Sequence, residues 1–225
     1  MSIGFRILPS PKRADPALLK RLGALPVSNV SDNMQRSHGT NLEPIHASGR
    51  MVGTAFTVRT RPGDNLIVHK AIDMAAPGDV IVVDAGGALE NAIIGELMTG
   101  WAKKRGVAGF VIDGAIRDSD ALAESDYPVY AAGVTHRGPY KDGPGEINVV
   151  VTVGGMVVRP GDLIAGDHDG VVAIAPEDAE QVIAASEAQH KREQATLVAI
   201  AAGTWDRKWV DETLKARGCD MSGIA

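Results

Sequence analysis

Apolar positions along this chain follow two periods. "MVGTAFTVRTR" (51–61) alternates and is partly β-branched, which predicts a strand. "DVIVVDAGG" (79–87) and "VAGFVID" (107–113) are continuous apolar runs, the pattern of strands buried on both faces. "YPVYAAG" (127–133) predicts a further strand. Between these runs the period lengthens. "PGDNLIVHKAIDMAAPGD" (62–79) sets a helix between two Pro-Gly-Asp turns, with Leu66, Val68, His69, Ile72 and Met74 near a 3.6-residue repeat and His69 read as a packed core residue. "NAIIGELMTGWAKKRG" (91–106) predicts a helix stopped by Gly106, and "RDSDALAES" (117–125) a short one. Strand and helix alternate, so a parallel α/β layer is expected.

The two ends read differently. Residues 1–14 look like an irregular arm, followed by a helix in "DPALLKRLGALP" (15–26) with Asp15 as N-cap and Pro16 at its first position. "VSNVSDNMQ" (27–35) predicts a second short helix capped by Ser28 or Asn29. "INVVVTVGGMVVRPGDLIAGDHDGVVAIAP" (147–176) is almost all strand with glycine turns, which predicts an antiparallel meander. Residues 177–225 carry two more helices. The chain is thus expected to form one domain, 1–225, with an N-terminal arm and helix over 1–25 and a C-terminal helical extension over 177–225.

Composition narrows the partners. A net charge of −5 and the lack of any basic block argue against nucleic acid. One cysteine, Cys219, excludes an internal disulfide framework and a cysteine-based zinc cluster. The first residues have no apolar core of signal-peptide length and no run approaches a membrane span, so a cytoplasmic protein with no membrane partner is expected.

The familiar phosphate and nucleophile motifs are missing: neither G-x-x-x-x-G-K-[ST], nor G-x-G-x-x-G in a strand–helix context, nor G-x-S-x-G, nor H-E-x-x-H occurs. The acidic turn "GDHDG" (166–170) lacks the extra ligands of a calcium loop and reads as a β-turn. Arg117-Asp118 differs because it follows a buried strand, where open α/β sheets place their chemistry. The turn before "ELM" falls at the same edge, which brings Glu96 and the amides of Leu97 and Met98 to face it. Two carboxylates there suit a hard divalent cation, and Arg117 with free helix amides suits a carboxylate. Asp118 as a helix cap beside a surface Arg117 explains the same residues equally well.

Glu96, the twenty residues Leu97–Ile116 and then Arg117-Asp118 resemble the D/E-x20-R-D motif of the class II pyruvate aldolases, the 4-hydroxy-4-methyl-2-oxoglutarate / 4-carboxy-4-hydroxy-2-oxoadipate aldolases. The resemblance extends through "PGDNL" (62–66), "APGDVIVVDAGG" (76–87), "PVYAAGVTHRG" (128–138) and "KRE" (191–193). It implies a β/β/α swivelling-domain, RraA-like fold of the α/β class. It implies that Asp118 binds Mg²⁺ or Mn²⁺ directly and Glu96 through water. Arg117 and the amides of Leu97 and Met98 would hold the C1 carboxylate of a 2-oxo acid. Asn65 would contact the hydroxyl at the bond to be cleaved, Lys141 would stand near the pocket, and Glu193 would reach in from a neighbouring subunit of a homotrimer or homohexamer. The implied reaction is retro-aldol cleavage to pyruvate, with oxaloacetate decarboxylation beside it. Glu96 departs from the Asp usual in that motif, which leaves its role and the substrate preference open. The same fold houses non-catalytic regulators of ribonuclease activity, which generally lack the Asp after the Arg. Another metal-dependent lyase or hydratase acting on 2-oxo acids remains the third alternative.

Overall fold

The computed structural model describes residues 2–223. In chain order its first elements are β1 (Phe5–Ile7), α1 (Pro16–Gly23), α2 (Val27–Asp32), β2 (Glu43–Pro44), β3 (Met51–Thr60), α3 (Leu66–Met74), β4 (Asp79–Ile94), α4 (Glu96–Lys104) and β5 (Gly109–Ile116). There follow α5 (Ser119–Ala123), β6 (Val129–Val134), β7 (Gly145–Ile147), β8 (Val151–Val153), β9 (Met156–Val158), β10 (Leu163–Asp167), β11 (Gly170–Ile174), α6 (Ala179–Ala201) and α7 (Lys208–Ala216). Strands β3, β4, β5 and β6 lie side by side and parallel, as the continuous apolar runs require. Antiparallel β7 and β10 flank β3, β1 adds in parallel to β7, and β2 closes the far edge against β6.

Three apolar clusters fill the space around this sheet. One, with Phe56, Ile72, Ile81, Phe110 and Ile112, lies under α3 and α4. A second joins Val80, Val82 and Val111 to the β8–β9 hairpin. The third packs Leu22 and Val30 of α1 and α2 on β10, β11 and the start of α6. Residues Met1–Glu187 and Ala188–Ala225 form two compact units. Among the described residues, no helix is long and apolar enough to cross a membrane.

Four local expectations need correction. The arm contains a strand, because Phe5–Ile7 finds an open partner in β7. The helix expected from Asn91 starts at Glu96, because Ala92, Ile93 and Ile94 are buried and extend β4. The extension is possible because Gly86 and Gly87 take left-handed φ of 68° and 67°, just where the β4–β5 register slips. The expected meander is two separate hairpins: β10–β11 joins the main sheet through β3, whereas β8–β9 stands apart. Finally, neither Ser28 nor Asn29 caps α2. The Asp167 carboxylate accepts from Val27 N at 2.9 Å and from Asp169 N at 2.9 Å. The acidic turn is thereby a structural brace between β10 and α2.

The parallel strands deliver the segments that follow β3, β4, β5 and β6 to one edge of the sheet. Asp64-Asn65, Gly95-Glu96, Arg117-Asp118 and the 135–143 loop meet there.

Candidate functional site

The site begins with a backbone constraint. Asp118 sits at φ 57°, ψ 39°, in the left-handed region that aspartate tolerates better than most side chains. It occupies the N-cap position of α5, yet its side chain makes no cap hydrogen bond. Instead its Oδ2 accepts the N–H of Glu96 at 3.0 Å. The helix-cap explanation of Asp118 therefore fails. The ion-pair half of that explanation is weak too: Arg117 Nε stands 3.8 Å from Asp118 Oδ2, with the side chains 43% and 40% exposed. Such an open pair contributes little to stability.

Gly95 makes the approach possible. A Cβ there would collide with Asp118 Oδ2 and stand 3.0 Å from Arg117 Cγ. Its φ of −157° is ordinary extended backbone, so the requirement is for space alone. Arg117 N donates to Ile94 O at 3.1 Å, which locks the end of β5 onto the end of β4.

The first amides of α4 are unequal. Glu96 N is committed to Asp118, while Met98 N and Thr99 N both donate to Gly95 O at 3.1 Å. Among the described residues, Leu97 N has no acceptor. Of the two amides expected to hold a carboxylate, one is unclaimed and the other is already engaged. The Leu97 side chain is 84% exposed.

Asn65 completes the pocket. It is only 2% exposed. Its Nδ2 donates to Ile93 O at 2.9 Å and lies 3.2 Å from Met98 Sδ. Its Oδ1 is buried with no hydrogen-bond partner among the described residues. A buried acceptor left unmade costs about 1–3 kcal/mol, and a ligand donor would remove that cost. Asn65 does not cap α3 either, since the N–H of Leu66 goes to Asp64 Oδ1 at 2.9 Å. Asn65, Leu97, Met98, Arg117 and Asp118 line one small pocket, with Pro139 of the loop as a further wall. Glu96 is exposed beside it.

Besides Glu96, two more of the expected residues stand outside that lining. Lys141 is exposed on the 135–143 loop. Glu193 lies on α6 in the C-terminal unit, where its carboxylate accepts from Gln189 Nε2 at 2.9 Å. His69 is not the core residue its periodicity suggests but is exposed on α3, one turn beyond Asn65, whose carbonyl its N–H meets at 3.0 Å. Partial burial and then the Lys141 charge push its imidazole below the usual range, against a smaller opposing effect of Asp73.

The donor set suits one kind of ion. Among the described residues no three His, Cys, Asp or Glu side chains converge as a metal cage. An oxygen-seeking ion that keeps several waters and takes one or two carboxylates needs no cage. Asp118, with Glu96 at hand, fits that need.

Known proteins place the chain. The RraA-like family, described as Aldolase/RraA, matches residues 27–173. A relative from Halalkalibacterium halodurans, which carries the provisional name 4-hydroxy-4-methyl-2-oxoglutarate aldolase, is 38% identical over 191 residues, covering 84% of this chain and 91% of its own. A crystal structure of a Pseudomonas syringae pv. tomato protein superposes with a TM-score of 0.78 at 26% identity, over 86% of this chain and 96% of that one. The structure titled as the RNA-processing inhibitor RraA from Thermus thermophilis gives 0.60 at 30% identity, over 66% and 92%. On sequence and fold together, the protein belongs to the RraA-like aldolase family.

Proposed function

We propose that this protein cleaves a 4-hydroxy-2-oxo di- or tricarboxylic acid, such as 4-hydroxy-4-methyl-2-oxoglutarate, to give pyruvate. The observation that carries the proposal is the sharing of one pocket by Arg117, Asp118 and the unpartnered Oδ1 of Asn65. Arg117 presents a planar fork suited to the C1 carboxylate, and the unclaimed Leu97 amide at the head of α4 adds a second donor; the Met98 amide would join it only by leaving Gly95 O. Asn65 Oδ1 accepts from the C4 hydroxyl and orients it. A water held by Arg117 takes the hydroxyl proton, the C3–C4 bond breaks, and its electron pair passes to the C2 oxygen as an enolate. The C4 carbon leaves as a carbonyl, and protonation at C3 gives pyruvate. Mg²⁺ or Mn²⁺ held by Asp118, and by Glu96 through water, would supply Lewis-acid stabilisation of the enolate oxygen. Loss of CO₂ from oxaloacetate gives the same enolate, so decarboxylation accompanies the aldol activity. Lys141 and Glu193 complete the site in this reading, Glu193 from a neighbouring copy in a homotrimer or homohexamer. The exposed Leu197, Val198 and Trp209 offer apolar surface for such assembly. A coupled lactate dehydrogenase assay on a panel of 2-oxo acids with Mg²⁺ tests the proposal. Pyruvate from none of them would refute it.

The likeness to the RraA structure supports a second reading, a regulator that binds a ribonuclease. Inhibition of a ribonuclease by an Asp118→Ala variant that makes no pyruvate would favour it.

A further inference from the structure

Pro-Gly-Asp recurs three times, at 62–64, 77–79 and 160–162. All three aspartates are buried, at 0%, 5% and 5% exposure. Two of them close their own turn: Asp79 Oδ2 accepts from Ala76 N at 2.9 Å, and Asp162 Oδ2 accepts from Arg159 N at 2.7 Å. Asp64 departs from this pattern. Its Oδ1 accepts from Leu66 N at 2.9 Å, at the start of α3. Its Oδ2 accepts from Asp142 N at 2.8 Å and Gly143 N at 2.9 Å, seventy-eight and seventy-nine residues away, and from the Arg61 guanidinium at 3.0 Å. Backbone bonds reinforce the junction. Tyr140 N donates to Gly63 O at 2.8 Å and Asn65 N to Tyr140 O at 3.0 Å. One buried carboxylate thus fixes both the helix start that carries Asn65 and the loop that carries Pro139 and Lys141. Burial alone would push this carboxyl up. The three amides and the Arg61 charge outweigh burial and hold it below the usual range, so it is ionised at neutral pH.

We propose that Asp64 is a positioning residue, which sets Asn65 and the 139–143 loop against the C4 end of the substrate. The proposal rests on the aldolase reading. Its consequence is selective, because the hydrogen bonds and ion pair of Asp64 go to Arg61, Leu66, Asp142 and Gly143 and not to Arg117 or Asp118. Retro-aldol cleavage needs the C4 hydroxyl held. Decarboxylation of oxaloacetate reaches the same enolate without one.

Asp64→Asn removes the charge and one of the two acceptor oxygens. We expect retro-aldol kcat to fall on the order of ten- to hundredfold, the scale of a displaced contact, while oxaloacetate decarboxylation stays within about twofold of the parent, the reacting end being undisturbed. An equal fall in both activities would mean general loosening and would overturn the proposal. Amide hydrogen exchange supplies a readout that does not depend on catalysis. In Asp64→Asn, Leu66, Asp142 and Gly143 should lose protection while Glu96 keeps it. Unchanged protection at those three amides would overturn the anchor, whatever the wild-type protein does to 2-oxo acids. A wild-type protein that yields no pyruvate from either substrate would sink the aldolase reading instead. Should Asp64→Asn not fold, Arg61→Gln weakens the same junction from a half-exposed position. It should shift the ratio of the two activities in the same direction, and a parallel loss would again count against the proposal.

Discussion

At the scale of single residues, the site depends on one carboxylate and on the room made for it. Asp118→Ala should abolish pyruvate formation and leave the fold intact, because the side chain is 40% exposed and its one backbone bond is to the Glu96 amide, with none to its own helix. Pyruvate release and circular dichroism check the two halves of that statement. Gly95→Ala makes a sharper test. The added methyl would drive Asp118 away from the Glu96 amide, and a misplacement of about 1 Å is enough to cost roughly a hundredfold in turnover. The strain of inserting a methyl should also lower stability by about 1–3 kcal/mol. Gly100→Ala, in the same helix with no atom within 4 Å, is the control: it should leave turnover unchanged and stabilise by roughly 0.5–1 kcal/mol. Equal kinetics for the two variants would remove Gly95 from the account. Arg117 and Asp118 were legible in the sequence, because a charged pair after a buried apolar run marks a strand end. Gly95 was not. Its role lies in a contact across two strand ends, and no local pattern distinguishes a glycine that needs space from one that needs a turn.

At the scale of elements, buried aspartates in similar turns have opposite effects. Asp64, held below the usual carboxylate range by amides and Arg61, contributes stability that is present above the unfolded value of about 3.9 and is lost as pH falls through its lower folded value. Asp162 is raised, chiefly by burial, with only a partial offset from the Arg159 amide and charge. Its ionisation opposes folding, and that cost is relieved as pH falls from neutrality through its folded value toward 3.9. Asp64→Asn should therefore lower stability at pH 7, whereas Asp162→Asn should leave it unchanged or raise it. Chemical denaturation at pH 7 and pH 4 reads both, and a matched loss in the two variants would refute the contrast. The three Pro-Gly-Asp turns were visible in the sequence, but which aspartate reaches forward was not, because its partners lie in a loop seventy-eight residues on. Element boundaries were misread for a related reason. Ile93 and Ile94 fall inside the apolar pattern of 91–106, but their β-branched side chains favour a strand, and pairing of Ala92 and Ile94 with Ala115 and Ile116 of β5, remote in sequence, keeps them in β4.

At the scale of the whole molecule, the three apolar clusters draw on residues no later than Ile183. The buried positions of α6 are Ala179, Val182, Ile183 and Ser186, and Arg21 secures its start through Glu180 at 2.8 Å and Glu187 at 2.9 Å. Nothing on α7 is buried. The parallel layer and its strand-end site were legible because they follow from strand–helix alternation. The division after Glu187 was not, since the amphipathic pattern of α6 and α7 does not reveal which apolar faces meet the core. A chain ending at His190 keeps one helical turn beyond Ser186 and every residue that lines the pocket. It should melt within about 4 °C of the full chain, the shift expected from about 1 kcal/mol at this size. It also lacks Glu193 and the exposed Leu197, Val198 and Trp209. If Glu193 completes a neighbouring site, the shortened chain should lose turnover while keeping its fold, and light scattering should show a smaller assembly. Full turnover in a folded, shortened chain would confine the chemistry to the first 190 residues and strike Glu193 from the mechanism. The chemistry would then rest on Asn65, Glu96, Arg117 and Asp118, with the Leu97 amide and Lys141 beside them.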